Sequence, residues 1–228
     1  MQSAKRAATH ADKANRVKGT ARTLLARDGA AGLSLREVAR EMGQTSSALY
    51  RYFATRDELL TALILDAYND LGVAVERAEA RVPRDDRRAR WRASGRAVRR
   101  WALAHPHEYA LIFGTPVPGY SAPPQTIAAA TRVTLVLARI VADEWEGRRA
   151  TSSDRDVERT LEWESARTVM PGVPARVVLR ALMAWTELFG AVSFELFGHY
   201  VGSVKANGAF FDLVMDELAD AVGIAKVL

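Results

Sequence analysis

The densest set of hydrogen-bonding side chains in the chain lies between residues 34 and 56, in SLREVAREMGQTSSALYRYFATR. Thr45, Ser46, Ser47 and Ala48 lead a short segment whose small hydroxyls let a backbone come close to a partner and still donate hydrogen bonds. That is chemistry for reading a polar surface, not for breaking bonds. Bond-breaking groups are scarce. Cysteine is absent, which removes thiol nucleophiles, disulfides, iron–sulfur clusters and cysteine-based zinc sites. No Walker loop, G-x-S-x-G elbow or H-E-x-x-H pair occurs. His105 and His107 flank a proline in HPHE and offer no regular ligand geometry, so that segment reads as helix termination and capping. The expectation is no catalytic residue, no metal and no cofactor.

The charge distribution points the same way. The 228 residues carry 32 Lys and Arg against 27 Asp and Glu, a net charge of +5. Residues 1–60 hold 11 of the basic and 6 of the acidic side chains, so the whole excess belongs to the first quarter of the chain. A basic head on a neutral body suits a polyanion partner. A hydrophobic share of 49% and a charged share of 26% are ordinary globular usage, and the chain is long enough for a real core without staples. No run of 18 apolar residues predicts a membrane span, and the first 19 residues lack the apolar stretch of a secretory signal. Together with the missing cysteines, this predicts a cytoplasmic protein that uses no membrane.

Helical spacing dominates, and strand alternation is nearly absent. Val17, Ala21, Leu24 and Leu25 mark a helix stopping near Gly29; Ser34 is placed to cap one carrying Leu35, Val38, Ala39 and Met42. After Gly43, SSALYRYF reads as a short helix, and Thr55 opens a long one fading near Pro83. Further helices are predicted at about 85–104, 126–146, 175–200 and 206–225. Residues 114–124 form a proline-rich loop, GRRATSSDRD reads as an exposed loop, and VERTLEWESARTVM is either a helix or poorly ordered. The fold class is all-α.

Three short helices within residues 15–53, the last two separated by a tight glycine turn and carrying net positive charge, make a helix-turn-helix arrangement. Its second helix enters the major groove of duplex DNA, which is about 12 Å wide and accepts one helix. The stretch GAAGLSLREVAREMGQTSSALYRYFATRDELL, moreover, resembles the N-terminal signature of TetR-type transcriptional regulators over about forty residues. Gln44 departs from that signature, which usually has Val there. The resemblance implies that Arg36 reaches a guanine edge, that Thr45, Ser46, Ser47 and Arg51 lie on or near the reading face, and that Ser34, Tyr50, Tyr52 and Arg56 contact phosphates. It leaves Leu49 and Phe53 packing inward. The basic leader Lys5, Arg6, Lys13, Arg16, Lys18 and Arg22 reads as an arm or first-helix edge near the DNA backbone, or as a silent terminus.

The resemblance divides the chain into a DNA-binding domain at 1–58, with a flexible leader at 1–12, and a helical ligand-binding and dimerisation domain at 59–228. A pocket in the latter would draw on Trp91, Trp101, Tyr109, Phe113, Tyr120, Trp145, Trp163 and Trp185, suiting an aromatic or lipophilic effector. Val178, Leu182, Trp185, Phe189 and Val192 form a stripe at coiled-coil spacing, with a second on Phe211, Val214, Leu218 and Ala221. The two stripes would build a four-helix bundle with a second copy, or else serve the protomer's own core. The nine arginines from Arg81 to Arg100 form either a second DNA surface or a solvated face paired with the acidic stretch Asp143–Glu164. The implied function is a ligand-responsive repressor that binds a palindromic operator in double-stranded DNA as a homodimer. The competing readings are an architectural DNA-binding protein without a ligand and an all-α enzyme with a basic arm.

Overall fold

The computed structural model describes residues 2–148 and 154–225, with side chains from residue 10 onward. The side chains of Lys5 and Arg6 and residues 149–153 of the expected GRRATSSDRD loop lie outside the described residues. Every regular element among the described residues is helical. Contacts divide the chain into two units, Met1–Asn69 with His105–Ala130, and Asp70–Ala104 with Thr131–Leu228. The stretch 105–130, expected in the second domain, therefore groups with the first unit, and the boundary falls within a helix instead of at residue 58.

In the first unit, α1 (Gln2–Gly32) is interrupted at Gly29, whose φ of 73° only glycine adopts cheaply. Residues 2–12 of the segment expected as a flexible leader form the helical start of α1. The chain then turns into α2 (Leu35–Glu41), α3 (Ser46–Leu49) and the first turns of α4 (Arg56–Glu79). Val17, Ala21, Leu24, Val38, Leu49 and Leu60 are among the side chains that close one apolar core. The predicted helix SSALYRYF is shorter than expected. It ends at Leu49, and the amides of Tyr52 and Phe53 both donate to the Leu49 carbonyl in a turn. Periodicity left α6 (Pro106–Phe113) unseen, although Pro106 at its first position and Glu108 in its first turn are the residues a helix start favours. Its buried Leu111 joins the same core.

The second unit packs α5 (Arg87–Ala104), α8 (Arg132–Trp145), α11 (Ala175–Leu196) and α12 (Asn207–Ala221) against one another around Trp91, Val98, Ile140, Leu188 and Met215. The helix expected at 126–146 is broken at Thr131, so that α7 (Ile127–Ala130) precedes α8. The stretch 154–170 resolves into two short helices, α9 (Arg155–Thr160) and α10 (Trp163–Val169), with Asp154 capping the first through the Val157 amide. Helix α11 is long and apolar enough to cross a membrane, but its Ala184, Leu188 and Val192 are buried against neighbouring helices. One expectation for α11 and α12 needs correcting. Val178, Phe189, Val192, Phe211 and Leu218 are buried within the protomer, so their surface is already spent on its own core. Of the seven residues expected at a dimer interface, Leu182 is exposed and Val214 half-buried.

Candidate functional site

The reading head is built from the cap of α2 onward. Ser34 stands in extended conformation before α2, and its Oγ accepts a hydrogen bond from the Glu37 amide at 3.2 Å. That is the capping role its position predicts; the hydroxyl's lone pair toward the amide is taken. Leu35, Val38 and Ala39 turn inward and Arg36 outward. Gly43 adopts φ 64°, closing the turn as the Gln44 amide donates to Ala39 O at 2.9 Å. Thr45 then enters α3 with no side-chain cap. Its hydroxyl instead shares a 3.0 Å hydrogen bond with that of Ser47.

Leu49 and Phe53 anchor α3 and its turn in the core, as the sequence suggests. What they leave outside is Thr45, Ser47, Tyr50 and Arg51, all exposed, with Ser46 half-buried and Tyr50 49% exposed. Neither Arg36 nor Arg51 has an acidic partner among the described residues, so both guanidinium groups keep their full complement of donors. Tyr52 is placed differently from Tyr50. It is half-buried and packs on His10 of α1 at 4.8 Å between ring centroids, and His10 Nε2 lies 3.4 Å from Arg51 O. Arg56 is committed inward, donating from Nε to Leu33 O at 2.9 Å and from Nη2 to Ala30 O at 3.0 Å. It clamps the chain after the Gly29 kink.

The basic edge of α1 splits in two. Lys18 and Arg22, expected near DNA backbone, instead pair with Asp66 of α4 at 2.8 and 2.6 Å, and Arg22 also approaches Glu108 at 3.4 Å. Those charges are neutralised within the unit. Lys13 and Arg16 remain exposed and line a notch with Arg51, Gln44 and Ala48. This notch joins the first helix to the short third one. The sequence carried a partial signal for it in the Lys13–Arg16 spacing, whereas the His10–Tyr52 stack had none.

The second unit holds a cavity of about 200 Å³ between α5, α8, α10 and α11. Of the aromatic residues expected along a pocket, Trp91 and Trp185 line it, joined by Leu137, Val141, Met170 and Leu182. The remaining aromatic side chains are employed elsewhere. Tyr109 and Phe113 pack together in the first unit, and Tyr120 shares a hydrogen bond with Thr61 there at 2.9 Å. Trp145 donates to Val222 O at 3.1 Å, Trp101 is buried in the helix packing, and Trp163 is half-buried on α10.

Residues 19–63 match the sequence model of bacterial regulatory proteins of the tetR family, and residues 91–218 that of the tetracyclin repressor-like C-terminal domain. The chain is 41% identical over 193 residues to the HTH-type transcriptional regulator Rv1816 of Mycobacterium tuberculosis, a match covering 81% of each chain. It is equally similar to the HTH-type transcriptional regulator Mb1846 of Mycobacterium bovis. Among solved structures, the regulatory protein SCO4313 superposes with a TM-score of 0.76 at 31% identity, over 93% of this chain and 97% of that one. With its helix-turn-helix head and its helical body each matched separately, the chain belongs to the TetR family of bacterial transcriptional regulators.

Proposed function

We propose that this regulator is a repressor that binds a palindromic operator as a homodimer in the cytoplasm and is released by a small apolar molecule held in the second unit. One observation carries the DNA-reading part. A short helix anchored by Leu49 and Phe53 leaves Thr45, Ser47, Tyr50 and Arg51 outside, with Arg36 exposed on the preceding helix and neither arginine paired with an acid among the described residues. In this reading Arg36 and Arg51 supply guanidinium forks for base edges or phosphates, and Thr45, Ser46 and Ser47 supply short donors in the groove. Tyr50 and the notch cations Lys13 and Arg16 fix register on the backbone. Ser34 and Arg56 support the head from beneath.

A cavity lined mainly by apolar side chains favours the ligand-responsive reading over the architectural one, because a purely architectural protein has no use for such a space. A ligand shifts the equilibrium only if it binds the DNA-incompetent state more tightly. Exposed apolar side chains on the last two helices, Met183 at 60%, Phe194 at 52% and Leu213 at 64%, are the surface we assign to the second copy. The test is a mobility-shift assay on genomic fragments at several salt concentrations. Salt-dependent binding selective for a palindrome supports the reading; equal binding to all duplexes overturns it.

A further inference from the structure

We propose that Gln44 is a base-reading residue whose carboxamide makes a paired donor and acceptor contact with one adenine in each operator half-site. This rests on the reading of the helix-turn-helix head as the DNA-reading surface. The backbone at Gln44 is held from behind. Gly43 turns the chain at φ 64°, and the Gln44 backbone N–H donates to Ala39 O at 2.9 Å. The side chain that leaves this anchored position is exposed, and its carboxamide has no hydrogen-bond partner among the described residues. It shares a notch with Lys13 and Arg16 of α1 and with Ala48 and Arg51, and no acidic side chain among the described residues lines that notch. Three cations therefore draw a polyanion to this place. Ala48 ends at its β-carbon and leaves the carboxamide room to approach a base edge. The neighbouring hydroxyls are less free, since Thr45 and Ser47 share a 3.0 Å hydrogen bond that occupies one of their two O–H donors.

The chemistry of the carboxamide decides what it takes. It presents an acceptor and a donor side by side. A phosphate offers acceptors only and would leave the carboxamide oxygen facing negative charge, so Lys13, Arg16 and Arg51 suit phosphate better. In the major groove adenine alone presents an acceptor next to a donor, at N7 and N6, matching both ends of the group. Guanine shows two acceptors, cytosine a donor, and thymine an acceptor beside a methyl group. Each of these leaves half of the carboxamide unpaired as the groove is dehydrated, which is penalised.

The experiment selects duplexes from a randomised pool with full-length wild type and with Gln44→Ala, and sequences what is bound. Wild type should select a palindrome with adenine at one position in each half that Gln44→Ala no longer distinguishes, while the other positions keep their preferences. Changing that adenine to another base in one half should cost wild type about tenfold in affinity and the variant less than about twofold. Replacing it there by 7-deazaadenine, which lacks the N7 acceptor, should cost wild type about fivefold and again leave the variant nearly unaffected. The salt slope should be the same in both proteins, because no phosphate contact is removed. An unchanged selected sequence in Gln44→Ala, a lost preference for a base other than adenine, or a loss shared by all duplexes overturns the inference and leaves the DNA-reading head intact. So does a wild type insensitive to 7-deazaadenine at every adenine of its palindrome, a result that needs no variant. Wild type that selects no sequence overturns both.

Discussion

Arg51 and Arg56 stand five positions apart, and the family resemblance sends both to the DNA, Arg51 to the reading face and Arg56 to phosphate. Their surroundings separate them. Arg51 is exposed and has no acidic partner among the described residues, whereas Arg56 spends its guanidinium on the carbonyls of Leu33 and Ala30. Backbone acceptors leave no trace in a side-chain pattern, and these two are brought within reach only because the chain kinks at Gly29. Arg51→Ala should therefore leave the melting temperature unchanged and lower the salt slope of DNA binding by about 0.9, the share of one neutralised phosphate. Arg56→Ala should instead destabilise the first unit by about 1–3 kcal/mol, since partly buried carbonyls lose their donor. Thermal unfolding alongside binding at several salt concentrations separates the two. A stable Arg56→Ala with a reduced slope would return that residue to the DNA surface. Ser34→Ala belongs with Arg56: losing the cap on the Glu37 amide should cost about 1 kcal/mol of stability.

Between helices, the arginine run acquires a purpose that its sequence left open. Arg88, Arg92 and Arg96 recur every fourth residue on α5 and meet Asp220, Asp216 and Asp212, spaced likewise on the antiparallel α12, at 2.5, 2.5 and 2.7 Å. Arg99 extends the ladder to Glu195 of α11 at 2.6 Å. The acidic stretch expected as partner takes part of the run: Asp143 receives Arg84 and Arg90, and Glu144 receives Arg87. The long helices were legible from apolar periodicity because burial imposes it along them, whereas the short α6, α9 and α10 span too few turns to show it. The choice of neighbouring helix was not legible, because either acidic segment carries suitable charges at suitable spacing. The ladder also sets a pH response. The hydrogen bond from Arg96 holds Asp212 below the usual carboxylate range, and that from Arg92 does the same for Asp216. Carboxyls depressed in the folded state add stability above their unfolded pKa of about 3.9, and that stability is lost as pH falls through the lower folded values. The melting temperature of the full chain should change little through this ladder between pH 7 and 5, then drop below about pH 4. In the Asp212→Asn, Asp216→Asn double variant it should start lower at pH 7 and fall less steeply. An equally steep acid drop in that variant would assign the acid sensitivity to other groups.

At the scale of the whole molecule, the coiled-coil spacing along α11 showed that one face is apolar but not what that face is packed on. Val178, Phe189 and Val192 close the protomer's own core, whereas Leu182 of the same repeat is exposed, and Met183, Phe194 and Leu213, which we assign to the second copy, lie outside it. Met183 and Leu213 are more than half exposed, so charging them removes little packing inside the protomer. The Met183→Glu, Leu213→Glu double variant should therefore melt within about 0.5 kcal/mol of wild type, as expected for exposed positions. If these residues form the dimer interface, placing like charges in a dry apolar contact will favour the monomer, observable by sedimentation equilibrium. DNA binding should follow. A dimer reads two half-sites one helical turn, about 34 Å, apart, and engagement of the first raises the effective concentration at the second to about the millimolar range. A monomer loses that linkage, so affinity for the full palindrome should fall by about a hundredfold or more, while affinity for an isolated half-site stays the same. A variant that remains dimeric with intact operator affinity would show that these side chains face solvent in the working protein, and the interface would have to be sought on another face.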